Sequence, residues 1–129
     1  LTEIASGGEM SRFILALKIA LASTDHPRIL IFDEIDAGVS GRISKEIAHL
    51  LKKLSLGIQV FCVTHQPLVA ASADHHMVVN KFVVKGQTSS KIKFLGGFEE
   101  RQIELAELAG GEMTEAKLYA ASLLEQQAA

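Results

Sequence analysis

The chain has 129 residues, 48% of them hydrophobic and 22% charged, with a formal net charge of -2. That is enough for one domain with a core of its own, and the composition is globular. It excludes a whole-domain basic surface of the kind that marks a nucleic-acid binder, and no apolar run approaches the roughly 20 residues of a membrane span.

No signal peptide is visible. Cys62 is the single cysteine, which rules out an internal disulfide and suits a reducing cytoplasm. The first residue is Leu1 and the chain opens directly on a motif, so it reads as a piece of a longer protein.

Ser6-Gly7-Gly8-Glu9 comes first. Met10, Phe13, Ile14, Leu17, Ala20 and Leu21 recur behind it at helical spacing, and Ser6 with Glu9 fits a capping box. Two glycines, a hydroxyl and a helix N-terminus also make an anion site, because the backbone can approach a phosphate there. A polar loop from Ser23 to Pro27 ends the helix. Ile29-Leu30-Ile31-Phe32 then runs into Asp33-Glu34. The apolar run predicts a strand buried on both faces, with the two carboxylates at its C-terminal tip, where open parallel sheets place ligands. Asp33 there suits a hydrated Mg²⁺, and Glu34 suits the orientation and deprotonation of a water.

The loop Ile35 to Gly41 carries Asp36 and two glycines, and is either a plain connection or a contact with a partner subunit. A second helix is predicted from Ser40 or Gly41 to Leu54, with Ile43, Ile47, Leu50, Leu51 and Leu54 on its apolar stripe and Lys45, Glu46, Lys52 and Lys53 on its solvated side. Ile58 to Val63 reads as a second buried strand. A strand–helix–strand unit of this size is parallel and right-handed, so His65 is expected near the two acids, as a neutral imidazole toward a phosphate or the attacking water.

Pro67 opens a short helix to Ala73. His75 and His76 are neighbours and point apart in a strand, so they do not share a metal, and Cys62 reads as core. Met77–Val79, Phe82–Val84 and Lys91–Leu95 read as short strands around a polar turn from Gln87 to Ser90, forming an antiparallel edge on the parallel sheet. Lys81, Lys85, Lys91 and Lys93 read as edge protection first, with a weak phosphate-backbone contact as the alternative. Helices are predicted from Phe98 to Ala109 and after Thr114, with Ala116, Leu118, Tyr119, Leu123 and Leu124 apolar in the last and the tail from Gln126 frayed.

The order of these motifs resembles the C-terminal half of an ATP-binding-cassette ATPase head. Ser6 to Glu9 is similar to the signature loop, Ile29 to Asp33 to the Walker B strand, Glu34 to the catalytic acid, Asp36 to a D-loop residue and His65 to the switch histidine. A narrower likeness runs through Ile4–Arg12, Phe32–Gly41, Val63–Pro67, Ala73–His76 and Leu108–Gly111 with Thr114. It is to the SMC-like ATPases of bacterial double-strand-break repair, in which a long coiled coil separates the two halves of one head. The resemblance implies an α/β fold, with all 129 residues forming the C-terminal lobe of a P-loop NTPase head. It implies ATP and Mg²⁺ as cofactors, and a cytoplasmic, nucleoid-associated protein that engages DNA and no membrane.

No Gly-x-x-x-x-Gly-Lys-Ser/Thr loop occurs in the chain, and that loop supplies the cradle and lysine for the β- and γ-phosphates. In the family it lies in an N-terminal lobe, and two heads sandwich the nucleotide. Ser6, Gly7, Gly8 and Glu9 would then serve the nucleotide of a second head, and Asp36 would bridge the two. The 129 residues alone are expected to be inactive. Two rival readings are a lobe from another SMC or transporter ATPase and a non-catalytic dimerisation module.

Overall fold

The computed structural model describes residues 29–111 and 114–128, so the Ser6–Glu9 loop and the apolar stripe behind it lie outside the described residues. The chain divides into two compact units, Leu1–Thr64 and His65–Ala129.

In the first unit, β1 (Ile29–Asp33), α1 (Gly41–Ser55) and β2 (Gln59–Val63) form a strand–helix–strand unit. The strands are parallel, with Ile29 opposite Gln59 and Asp33 opposite Val63. Residues in register share a face, so Leu30, Phe32, Val60 and Cys62 lie together. That face is covered: Phe32 is buried and the other three are half-buried. The opposite face is open. Ile29 and Ile31 are 61% and 72% exposed, and Phe61 and Val63 are exposed beside them. The expectation of a strand buried on both faces therefore fails for β1. Apolar runs arise from two covered faces in a complete α/β sheet, and among the described residues one helix, α1, packs on this pair.

The second helix forms as its periodicity predicts. Ile47, Ala48, Leu50 and Leu51 are buried in α1, and Lys52 and Lys53 sit in its last turn, where they complement the helix dipole. Ser44 is fully buried and returns its hydroxyl to the Ser40 carbonyl at 3.2 Å. The Arg42–Glu46 ion pair is 3.9 Å long and largely exposed, so it adds little.

The second unit holds α2 (Pro67–Ala71), β3 (His76–Val84), β4 (Gln87–Leu95), α3 (Phe98–Leu108) and α4 (Thr114–Ala128). Its core joins Ala70 and Ala71 of α2, Leu105 and Ala106 of α3, and Ala120, Leu123 and Leu124 of α4. Leu118 and Tyr119 are exposed, unlike the stripe read from sequence, and α4 continues through Gln126 to Ala128 rather than fraying. The antiparallel pair also departs from expectation. Among the described residues β3 and β4 form a two-stranded sheet of their own, not an edge on the parallel pair. Each strand runs nine residues, because the turn needs only Lys85 and Gly86. Both have positive φ, 50° and 77°, as the tight hairpin turn matching strand twist requires. The segment Gln87–Ser90 is consequently strand.

Two charged side chains tie this unit together. Arg101 lies on α3, and its guanidinium donates to the carbonyls of Ala70, Ala71 and Ala73 at 3.3, 3.2 and 3.0 Å. They lie at the end of α2, where carbonyls run out of helical donors; that of Ala70 also accepts from the Ala73 amide at 3.3 Å. Glu100 accepts from the Gly96 amide and from Lys93, both at 2.7 Å, so it fastens the end of β4 to the start of α3. Lys93 and the Gly96 amide hold its carboxyl below the usual range.

Arg101→Ala should lower stability to denaturant by about 2 kcal/mol, since it strips three carbonyls of a charged donor. Burial, and then the Arg101 guanidinium, push the His76 imidazole below its ordinary pKa of 6.5. The unfolded chain therefore takes up more protons as the pH falls through that value, and stability present above it is lost toward acid. Thermal melts between about pH 7 and pH 5 should show this loss, and His76→Gln should flatten it.

Candidate functional site

Asp33 is the last residue of β1 and Glu34 the first beyond it, and both are exposed. Parallel pairing puts them at the end of the sheet where β2 also finishes. The Glu34 amide donates to the Val63 carbonyl at 2.9 Å, which carries the ladder one step past the strand. The backbone then turns sharply. Glu34 has φ 51°, a left-handed conformation unusual for a residue with a side chain. Ala37 N–H returns to the Glu34 carbonyl at 3.2 Å, and Gly38 follows at φ 72°. Two acidic side chains are thereby displayed from a constrained backbone at a strand tip.

Asp36 behaves differently. It is 1% exposed, and its carboxylate accepts a short hydrogen bond from the Thr64 hydroxyl, 28 residues away. A carboxylate removed from water needs a donor, and Thr64 supplies one within the same unit. Of the two readings of this loop, plain connection or partner contact, the structure shows that the Asp36 side chain points into its own fold. In the sequence Thr64 is only the residue between a strand and a histidine. Nothing in its local pattern distinguishes it, because its partner lies across the strand–helix–strand crossover.

Cys62 lies on the covered face of β2. Burial, with the Asp36 charge as a second cause, pushes its thiol up to about 11, so little thiolate is present at neutral pH. This agrees with its reading as a core residue.

His65 follows Thr64 in the chain and opens the second unit. It is exposed and lines an open cleft with Gln66, Pro67, Leu108, Gly110 and Tyr119. Gly110 and Gly111, at φ 105° and 128°, form the far wall's turn between α3 and α4, where a side chain would strain the backbone. His75 and His76 do not converge on a ligand set, and among the described residues no group of three or more His, Cys, Asp or Glu is placed to hold a metal. A single carboxylate at a strand tip fits Mg²⁺, which keeps most of its waters and takes one or two carboxylates together with substrate phosphates. The donor chemistry of Asp33 meets that requirement. The sequence contains no Gly-x-x-x-x-Gly-Lys-Ser/Thr loop to complete a nucleotide site.

Comparison with known proteins places the chain. It is 47% identical over its whole length to the DNA repair protein RecN of Synechocystis, covering 25% of that protein. Against RecN of Bacillus subtilis it is 43% identical, with 98% of this chain and 22% of that protein covered. RecN of Rickettsia bellii is 45% identical over 96% of this chain and 22% of its own length. The chain thus spans about a quarter of the curated relatives it matches. A family model described as an AAA domain, putative AbiEii toxin of a type IV toxin–antitoxin system, matches residues 10–71. Among solved structures, a chain from work on ATP-driven dimerization and DNA-stimulated activation of SMC ATPases superposes with a TM-score of 0.61. It is 24% identical, over 85% of this chain and 65% of that one, and shows the same α/β fold.

The left-handed Glu34 backbone gives a stability test of the site. Glu34→Gly should raise the melting stability by about 1 kcal/mol by relieving that conformation, whereas Gly38→Ala should lower it by a similar amount.

Proposed function

We propose that this chain, RecN-like along its entire length, is the C-terminal lobe of an SMC-type ATPase head, and that the longer protein hydrolyses ATP while acting on DNA breaks. The observation that carries the reading is the parallel β1–β2 pair, which displays Asp33 and Glu34 from one sheet end in a sequence 43–47% identical to RecN. In this reading Asp33 holds a hydrated Mg²⁺, which neutralises charge developing on the phosphates. Glu34 orients the attacking water and takes its proton. His65 hydrogen-bonds the terminal phosphate or that water.

Ser6, Gly7, Gly8 and Glu9 bind the nucleotide of a second head, so that two heads close on two ATP molecules. Asp36 is a positioning residue, holding the loop behind Glu34 against Thr64. An upstream lobe supplies the phosphate cradle and covers the open face of β1 and β2, where Ile29, Ile31, Phe61 and Val63 are exposed. Without that lobe the 129 residues are inactive. The protein works in the bacterial cytoplasm, at the nucleoid.

Magnitudes favour a switch over a fast enzyme. Driving head closure from 1:99 to 99:1 takes about 5.5 kcal/mol of differential binding. Two nucleotides, each making several charge-assisted bonds of roughly 1.5–3 kcal/mol, supply that amount, and hydrolysis removes it.

The test is Glu34→Gln in the longer protein. ATP binding should persist, turnover should drop by about 100-fold or more, and a head dimer should accumulate by sedimentation. Wild-type turnover in this variant would remove Glu34 from the mechanism.

A further inference from the structure

Charge is distributed unevenly along this chain. Residues 76–95, the β3–β4 ribbon, contain four lysines and no aspartate or glutamate. The rest of the chain holds nine basic and fifteen acidic residues. The ribbon thus carries +4 in a chain that is otherwise -6. Every residue from Val79 to Phe94 is exposed, so this charge is presented to solvent over most of the hairpin.

The register shows how the distal half is built. Lys81 is opposite Ser90, and Asn80 is opposite Lys91. Successive pairs face opposite ways, so each face carries one lysine and one neutral hydrogen-bonding side chain at the same level. Lys85 adds a third charge at the turn, followed by Gln87, Thr88 and Ser89. Lys93, nearer the base, is taken up by Glu100. Among the described residues no ion pair engages Lys81, Lys85 or Lys91. Edge protection accounts for a lysine or two on a strand. It does not account for positive charge on both faces and the tip together with five neutral donors and no acid.

Lysines interspersed with Ser, Thr, Asn and Gln are the side chains that contact DNA phosphates. A nine-residue antiparallel ribbon about 30 Å long, charged on both faces, can reach the backbone of either strand of a duplex. We propose that the distal half of this ribbon, Asn80 to Lys91, is a contact surface for the phosphate backbone of duplex DNA. The proposal rests on the reading above that the longer protein acts on DNA, and it names the surface involved. The contact is independent of base sequence and weakens steeply with salt.

The experiment is duplex-DNA binding by the full-length protein across a salt series, comparing wild type with the triple variant Lys81→Gln, Lys85→Gln, Lys91→Gln. A control, Lys45→Gln with Lys53→Gln, removes two charges from exposed positions of α1. The ribbon variant should bind at least about tenfold more weakly, and its log–log salt slope should fall by about 3, while the control stays within about twofold. ATP turnover without DNA should be unchanged in both. A ribbon variant with wild-type affinity and slope overturns the proposal, as does an equal loss in the control. So does a ribbon that instead governs binding to anionic phospholipid vesicles or the oligomeric state. If wild-type protein binds no duplex at all, the DNA reading itself falls, which a defect confined to the ribbon variant cannot imitate.

Discussion

Two hydrogen bonds hold the acidic end of the parallel pair, and the arrangement of the site depends on them. One joins the Glu34 amide to the Val63 carbonyl, and the other joins the Thr64 hydroxyl to the buried Asp36 carboxylate. Together they bind the segment leaving β1 to the segment leaving β2. A slip of one residue between the strands would reverse which side chains face the covered layer and turn Asp33 to the other side of the sheet. The register keeps Phe32 buried and leaves Asp33 and Glu34 in solvent, one residue apart from the core they terminate. The left-handed turn at Glu34 belongs to the same constraint, since the backbone must leave the ladder at once to bring Asp36 back inward.

The second unit solves a different problem. Its core consists mostly of alanines and leucines on three helices, one of them only five residues long. So short a helix has most of its carbonyls at its end, and Arg101 of α3 collects three of the carbonyls in and just beyond it. The guanidinium is partly desolvated, which pushes its pKa down, and Asp74 acts in the opposite direction. Packing alone does not explain α2. A cation reaching from a neighbouring helix satisfies its end, and with it the entry to the unit that follows His65.

Both sheets are left with apolar surface in solvent. Ile31 on β1 and Val83, Ile92 and Phe94 on the ribbon are all at least 60% exposed. The sheet face and the ribbon are not equivalent, however. The former is apolar throughout between its acids and Gln59, whereas the latter mixes apolar with cationic and neutral polar side chains.

Much of the site was legible in the sequence, because it depends on local pattern. The run Ile29–Phe32 ending in Asp33-Glu34, the periodicity of α1, and a second strand before His65 are each encoded within a few residues, and chain order makes the crossover parallel. Tertiary structure decided the rest. That Asp36 turns inward depends on a hydroxyl 28 residues away, and that Arg101 caps α2 depends on carbonyls about 30 residues away; neither partner marks its own neighbourhood. The ribbon shows the difference within one element. Its alternation predicted strands, but its length, its separate sheet and its exposure followed from a two-residue turn and from pairing across strands, which a linear pattern does not specify.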